Sequence, residues 1–295
     1  MKLGIQILNY NGLKWLPELL DSLKANALQD QKIYLVDNAS TDESIAYVQR
    51  EHPDVIILRN ETNLGYAAAY NHSIPIAIND GCDWVCLQNT DTLVSKNWLE
   101  PMQITANSNS KIGIMGPVFI EWESDKPNFY MHGRAKDVIP YMFNVGSPPS
   151  IRDWVEGSVL LVRKECYEDI GGLDPLYFMY WEEADYCRKA KYHNWEVVMV
   201  PGSICRHYGS GSSTAEAVGF LQIRNHFFFK MTDPNFSFPG NIVSAGRLTL
   251  TYLKSNLIDK PSLSMFLIVI RSVLSSVISI PKCFQSWQAN RQTIY

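Results

Sequence analysis

The sequence predicts an α/β fold built on a mostly parallel central sheet flanked by helices. Three observations carry that expectation. Through the first 90 positions, short apolar runs alternate with apolar residues at helical spacing, the pattern of strand–helix–strand units with right-handed crossovers. Polar clusters at Asn9, at Asp37 and at Asn89-Thr90-Asp91 fall where those runs end, and open parallel sheets collect their ligands at such ends. With 295 residues, 46% of them hydrophobic, the chain is long enough to bury a large core.

Each element has its own signal. Leu3 to Leu8 reads as a buried strand stopped by Asn9-Tyr10-Asn11-Gly12, and Trp15, Leu16, Leu19, Leu20 and Leu23 then recur at helical spacing. Pro17 is tolerable in that helix's first turn. Ile33 to Val36 is a second strand running into Asp37-Asn38-Ala39-Ser40-Thr41-Asp42, where Ser40 or Thr41 can cap the helix that follows. A third strand is expected over Val55 to Leu58, a third helix over Gly65 to Ile78 and a fourth strand over Trp84 to Leu87. Pro75 should kink or break the third helix. Further on, Ile112 to Phe119, Ser158 to Val162 and Val197 to Val200 read as strands and Ala184 to Tyr192 as a helix. A Pro/Gly-punctuated stretch holding Met131-His132-Gly133-Arg134 separates the first two of these strands. Beyond 215 the pattern is helical: around Phe220 to Phe228, over 242–254 and over 262–284.

Composition excludes more than it selects. A net charge of −4 and a pI near 5.9 give no electrostatic footprint for nucleic acid. The first ten residues lack the long apolar core and cleavage site of a secretory signal. Cys82, Cys86, Cys166, Cys187, Cys205 and Cys283 show neither CxxC pairs nor zinc spacing, so reduced structural thiols and a cytoplasmic location are expected. No GxGxxG or P-loop follows the first strand, and the Gly-rich basic loop of a nucleotidyltransferase is missing after Leu8. Eight Trp and fifteen Tyr suit a sugar-binding cleft and equally a core or an interface.

Several motifs can carry chemistry, each beside a plainer reading. Asp37 at a strand end can accept hydrogen bonds from a base or ribose, or simply form an Asx-turn. Asn63-Leu64-Gly65-Tyr66-Ala67, with Asn71 beyond it, places a turn before a helix N-terminus that would suit a phosphate. Gln88-Asn89-Thr90-Asp91-Thr92 can hold a divalent cation bridging a diphosphate, or be an ordinary polar turn. The acids of Trp181-Glu182-Glu183-Ala184-Asp185 follow an aromatic run and a Gly171-Gly172-Leu173-Asp174-Pro175 turn. They can supply a general base, or merely suit a helix's first turn. His207, in the run Cys205-Arg206-His207-Tyr208-Gly209-Ser210-Gly211, is either a hydrogen-bonded structural residue or a metal ligand.

In order and spacing, these motifs together with Glu156-Gly157-Ser158 resemble the family-two glycosyltransferases of GT-A fold, particularly the bacterial rhamnosyltransferase-like branch, over about residues 3–230. The resemblance implies a GT-A catalytic domain over 1–214, with a nucleotide-binding half (1–110) and an acceptor half (111–214), followed by a C-terminal helical region, 215–295. It implies an inverting transfer of one sugar, from a dTDP- or UDP-sugar such as a rhamnose donor, onto a hydroxyl of a surface-glycan or lipid-linked acceptor. Asp37 would contact the donor base, with Asn9, Asn38, Gly65, Asn71, Asn89 and Thr90 around the nucleotide. Asp91 matches the last acid of the DxD motif and would hold Mg²⁺ or Mn²⁺ with His207. Asn89 replaces the motif's first acid, and Glu183 stands where the family has a catalytic Asp, with Glu182 as the alternative base. The same two departures leave room for a catalytically weak or inactive sugar-nucleotide-binding scaffold.

The C-terminal region adds an expectation about partners. Ser262 to Ile280 is almost long enough to span a bilayer, but Arg271 sits at its centre and six serines interrupt it. A surface helix is expected instead. It would give peripheral contact at the inner face of the plasma membrane, or pack on the catalytic domain or on a second copy, through residues 240–290.

Overall fold

A computed structural model describes residues 1–27, 30–126, 143–209, 215–255 and 262–293. Along the chain run β1 (Leu3–Asn9), α1 (Leu16–Ala25), β2 (Gln31–Asp37), α2 (Ser44–Glu51), β3 (Ile56–Arg59), α3 (Gly65–Asn79), β4 (Trp84–Asn89), β5 (Thr92–Val94), α4 (Leu99–Ser108) and β6 (Ile112–Ile120). There follow β7 (Ser150–Ile151), β8 (Val159–Arg163), α5 (Lys164–Ile170), α6 (Glu182–Tyr192), β9 (Glu196–His207), α7 (Ala215–Met231), α8 (Phe238–Lys254), α9 (Leu263–Ile278) and α10 (Ile280–Ala289). The strand order is β3-β2-β1-β4-β8-β6-β9-β5, with β7 paired to β9. β3, β2, β1 and β4 are parallel, β8 is antiparallel to β4 and β6, and β6 and β9 run parallel.

Alternation along β1 shows how the two layers form. Leu3, Ile5 and Ile7 point to one face and join Leu16, Leu19, Leu20 and Leu23 of α1 in one core. On the other face, Gly4 lets α3 come so close that an added Cβ would lie 3.0 Å from the Ala77 Cβ. Gln6, fully buried there, donates to the Ser73 carbonyl at 2.6 Å and accepts from the Ser73 hydroxyl at 2.8 Å. A buried amide is stabilising only when its groups are paired in this way. The second core gathers Tyr66, Tyr70 and Ile74 of α3 with Tyr186 and Cys187 of α6.

The structure departs from the sequence expectations at three places. α3 runs unbroken from Gly65 to Asn79 with Pro75 inside it. Burial of Tyr70, Ser73, Ile74 and Ala77, together with the Gln6–Ser73 hydrogen bonds, holds both sides of the proline against the sheet. Neither Ser40 nor Thr41 caps α2. The helix starts at Ser44, whose N–H and hydroxyl both donate to Asp42 Oδ1, while the Ser40 hydroxyl accepts from Asn9 Nδ2 and Asn11 N. The apolar run 262–284 is two helices, α9 and α10, bent by 64° at Ser279, with Pro281 in the first turn of α10. The Met131 to Arg134 motif lies outside the described residues, as does most of the loop after His207.

The C-terminal helices form a third apolar cluster, with Phe227, Phe228 and Met231 of α7, Val269 of α9 and Cys283 of α10 around Tyr177. All six cysteines are buried free thiols.

Candidate active site

Strand register brings the polar clusters to one edge of the sheet. Asn9 pairs with Asp37, Asp37 with Arg59, and Leu8 with Asn89, so the ends of β1, β2, β3 and β4 lie side by side. Antiparallel β8 begins at the same edge, where Asn89 N donates to Ser158 O at 2.9 Å. Pairing of Thr92 with His207 delivers the end of β9 beside Asp91. These ends open into a cleft of about 300 Å³.

At the Asp37 end of the cleft, Asn9 is a clamp. Its Nδ2, with two hydrogens, lies within hydrogen-bond distance of three acceptors, Asp37 Oδ1 (3.1 Å), Ser40 Oγ (2.9 Å) and Ser44 Oγ (2.9 Å), and its Oδ1 accepts from Gly12 N (3.2 Å). Asp37 is fully buried, and its Oδ2 has no hydrogen-bond partner, with Arg59 Nε 3.6 Å away. Such an orphaned buried acceptor is costly and is the kind of group a ligand donor can satisfy. Asn38 lines the cleft and stitches β2 to the next loop, donating to Asn63 Oδ1 and Gly65 O and accepting from Leu64 N and Asn60 Nδ2.

Three N–H groups at the N-terminus of α3 are engaged by protein acceptors. Leu64 N donates to Asn38 Oδ1, Gly65 N to Asn63 Oδ1, and Tyr66 N to Phe178 O at 2.8 Å. Gly65 adopts φ +75°, and an added Cβ would stand 2.2 Å from Phe178 O, so glycine serves here for close packing against the 178 segment. Asn71 stands outside the cleft lining; its amide accepts from Leu173 N and donates to Leu173 O, fastening the Gly171-Gly172 turn.

At the other end, Asn89, Thr90, Asp91 and His207 line the cleft together. His207 Nε2 lies 3.4 Å from Asp91 Oδ1, and its Nδ1 is buried without a partner. Burial works against a charged ring, but the hydrogen bond to Asp91 and the charges of Asp91 and Glu156 outweigh it and raise the pKa. Glu156, which sequence reasoning treated only as part of a motif, joins this site. Its carboxyl is pushed up by burial and by Asp91, and held back by His207. Among the described residues no group of three His, Cys, Asp or Glu is set to hold a metal, and Asp91 and His207 face each other as a pair. A hard cation that keeps diphosphate and water oxygens in its shell fits such a pair.

Glu182 and Glu183 begin α6 in the same cleft. Both are raised by burial: Glu183 to about 8, with Glu156 adding to the rise, and Glu182 well above the carboxylate range, with Glu183 adding to it. Glu182 Oε2 has no hydrogen-bond partner. The turn before them is strained, since Tyr180 (φ 75°) and Trp181 (φ 73°) are consecutive left-handed residues. Asn225 of α7 holds that turn, donating from Nδ2 to Met179 O and Tyr180 O at 2.8 Å each. Trp181 stacks on His226 with ring centroids 4.4 Å apart. Neither contact has a local sequence signal, because both come from a helix some 45 residues downstream. Asp185, the third acid of the run, faces away into the core.

An aromatic cluster borders the Asp91–His207 end of the cleft. Trp15, itself in the cleft lining, packs on Tyr208 (4.5 Å) and Trp122 (5.7 Å), with Lys14 Nζ 4.3 Å above the Trp15 ring.

Comparison with known proteins agrees with this architecture. The chain is 25% identical over 245 residues to an N-acetylglucosaminyl-diphospho-decaprenol L-rhamnosyltransferase of Mycobacterium tuberculosis, covering 74% of this chain and 80% of that one. It is 23% identical over 201 residues to the low-salt glycan biosynthesis hexosyltransferase Agl10 of Haloferax volcanii, covering 65% and 62%. Among solved structures, S. aureus TarS 1-349 in complex with UDP-GlcNAc superposes with a TM-score of 0.61 at 12% identity, covering 99% of this chain and 88% of that one. The mannosyltransferase PcManGT of Pyrobaculum calidifontis, in complex with GDP-Man and Mn²⁺, gives 0.56 at 14% identity, covering 98% and 84%. These two likenesses establish the GT-A fold. The family model described as Glycosyl transferase family 2 matches residues 5–156, just over half of the chain, and on that ground the chain belongs to glycosyl transferase family 2, as an enzyme that takes its sugar from a nucleotide-sugar donor.

Proposed function

We infer that the cleft binds a nucleoside diphosphate sugar with its base toward Asp37 and Asn38 and its diphosphate toward Asp91 and His207. Glu183 then removes the proton from an acceptor hydroxyl. The freed oxygen pair forms the bond to the anomeric carbon, the carbon–oxygen bond to the diphosphate breaks on the opposite side, and the nucleoside diphosphate leaves with that electron pair. One displacement inverts the anomeric configuration. The observation that carries this reading is the presence of the Asp91–His207 pair and the Glu182–Glu183 pair in one cleft, with Glu156 influencing both.

The side chains support these roles physically. Burial raises the Glu183 carboxyl to about 8, so the carboxylate that accepts a proton becomes the main form as pH rises through that value. Asp91 and His207 would hold Mg²⁺ or Mn²⁺, which when bound neutralises charge on the departing diphosphate. Displacement of the mostly exposed Arg59 would free Asp37 Oδ2 to accept from a base N–H. Rhamnose as the sugar, with a dTDP- or UDP-linked donor, is the proposed substrate; rhamnose and a lipid-linked glycan acceptor are favoured by the likeness to the mycobacterial rhamnosyltransferase. A cytoplasmic location would place the enzyme with such donors.

The test is a thermal-shift screen of nucleotide sugars with and without MnCl₂, followed by NMR of the product's anomeric configuration. Stabilisation by a dTDP- or UDP-sugar that grows with Mn²⁺, and an inverted product, are expected. Stabilisation by neither donor class, or a retained configuration, would overturn the reading.

A further inference from the structure

Helix α9 is built the wrong way round for a helix whose outer face meets water. The face packed against the protein carries Ile268 and Val269 but also Ser272 and Ser276, buried with their hydroxyls donating to backbone carbonyls, Ser272 to Phe220 and Ile268 and Ser276 to Ser272. The outer face carries Leu263, Leu267, Ile270, Leu274, Val277 and Ile278, which at helical spacing share an arc of about 100°. Leu263 is 74% exposed and Ile278 80%, and of the six only Ile270 is half-buried. A contiguous exposed apolar stripe of this size marks an interaction surface.

Helix α8, which packs beside α9, adds charge to the same region. Val243, Arg247, Leu250 and Lys254 recur at helical spacing on one exposed stripe, so basic and apolar side chains alternate without an acid. The asymmetry extends to the whole C-terminal region. Residues 215–295 hold eight Lys and Arg against three Asp and Glu, a net of +5, while residues 1–214 hold 18 against 27, a net of −9. Among the described residues no single helix is long and apolar enough to cross a membrane.

We propose that the outer faces of α8 and α9 dock on the surface of an anionic lipid bilayer. The leucines, valines and isoleucines enter the acyl boundary, while Arg247 and Lys254 reach the headgroup phosphates along their aliphatic stems. The charge decides against a second copy as occupant: apposing two such faces would bring two +5 regions together, whereas a phosphatidylglycerol surface complements them. The remaining −9 disfavours adhesion of the catalytic part, so attachment is confined to the C-terminal helices. This docking requires neither donor nor turnover and stands apart from the catalytic reading.

Flotation of the full chain with phosphatidylglycerol/phosphatidylcholine vesicles, against phosphatidylcholine alone, tests it. The bound fraction should be about tenfold higher on anionic vesicles. The exposed-face variant Leu267→Ser/Leu274→Ser/Ile278→Ser should lose that binding at unchanged Tm, and Arg247→Glu/Lys254→Glu should lose the anionic preference. Wild-type protein that stays unbound with both vesicle types would overturn the proposal, as would either variant floating like wild type. A dimer in ultracentrifugation that the serine variant dissociates, without vesicle binding, would assign the face to a second copy instead. Should the serine variant fail to fold, the charge-reversal variant alone decides.

Discussion

Asn290 and Asp185, 105 residues apart in sequence, meet in the protein interior, where Asn290 Nδ2 donates to Asp185 Oδ2 at 3.4 Å. The other carboxylate oxygen accepts from Tyr177, Thr232 and Arg188. The acid two residues after the inferred base is therefore the point where α6, α7 and the end of α10 are tied together. Asp185→Ala leaves the Arg188 guanidinium buried without its main counter-charge, and should cost about 3–5 kcal/mol of stability. Chemical denaturation of the purified variant checks this; a loss within experimental error would show that the hub is not structural.

Asn225 should matter to turnover more than to binding. Its amide holds the strained Met179-Tyr180-Trp181 backbone from which Glu182 and Glu183 start. Asn225→Leu should lower kcat by about tenfold through misplacement of the carboxylates, with the donor KM changed far less. Equal effects on both parameters would mean that the turn contributes to donor binding as well.

Glu183→Gln should cut kcat by about 10²-fold or more and leave donor affinity nearly intact, because the amide cannot take the acceptor proton. Glu182 is buried with one oxygen unpaired, and its Gln variant should retain much more activity. Loss of turnover in Glu182→Gln alone would move the base by one residue.

The two ends of the nucleotide should separate by calorimetry. Under the proposed base contact, Asp37→Ala should weaken free nucleotide as well as nucleotide sugar, whereas Asp91→Ala should abolish the response of donor binding to Mn²⁺. Unchanged nucleotide affinity in the Asp37 variant would exclude it from the base pocket.

Stability should fall as pH rises across the neutral range. Glu183 titrates near 8 in the fold against about 4.3 when unfolded, so the native state retains a proton that the unfolded chain releases. Its stabilising contribution is complete below the unfolded value and disappears as pH climbs through 8. Burial raises Glu182 in the same direction. Tm should therefore decline from pH 5 to pH 8, and Glu183→Gln, which cannot ionise, should flatten the decline. The same variant with an undiminished slope would place the responsible protons elsewhere.

Most of the fold's first half was legible because its signals are local. Apolar runs such as Leu3 to Leu8 and Ile33 to Val36 end in polar turns, and β1 and β2 occupy those positions. The less legible elements have weak local patterns. β5 is three residues long, α4 carries Pro101 and few strongly apolar positions, and α5 is a short run rich in charge. Pro75 does not break α3 because its cost is local, while packing and hydrogen bonds from β1 hold the helix beside it. In the site, Asp91, His207, Glu182 and Glu183 were found by residue type and spacing and do share one cleft. Asn9 and Asn71 drew notice for the same reason, yet their amides are engaged by other protein groups.

The sequence by itself determined the fold class, the family and the set of carboxylates and amides available for chemistry, since those depend on periodicity and on motif order along one chain. Only the tertiary structure decided which of these groups face the cleft, that Glu156 is in electrostatic reach of both the Asp91–His207 and Glu182–Glu183 pairs, that Asn225 props the turn before Glu182, and that Asp185 is a core tie. The reason is physical: hydrogen bonds and desolvation depend on distances of a few ångströms between residues far apart in sequence, and only the packed sheet and its helices set those distances.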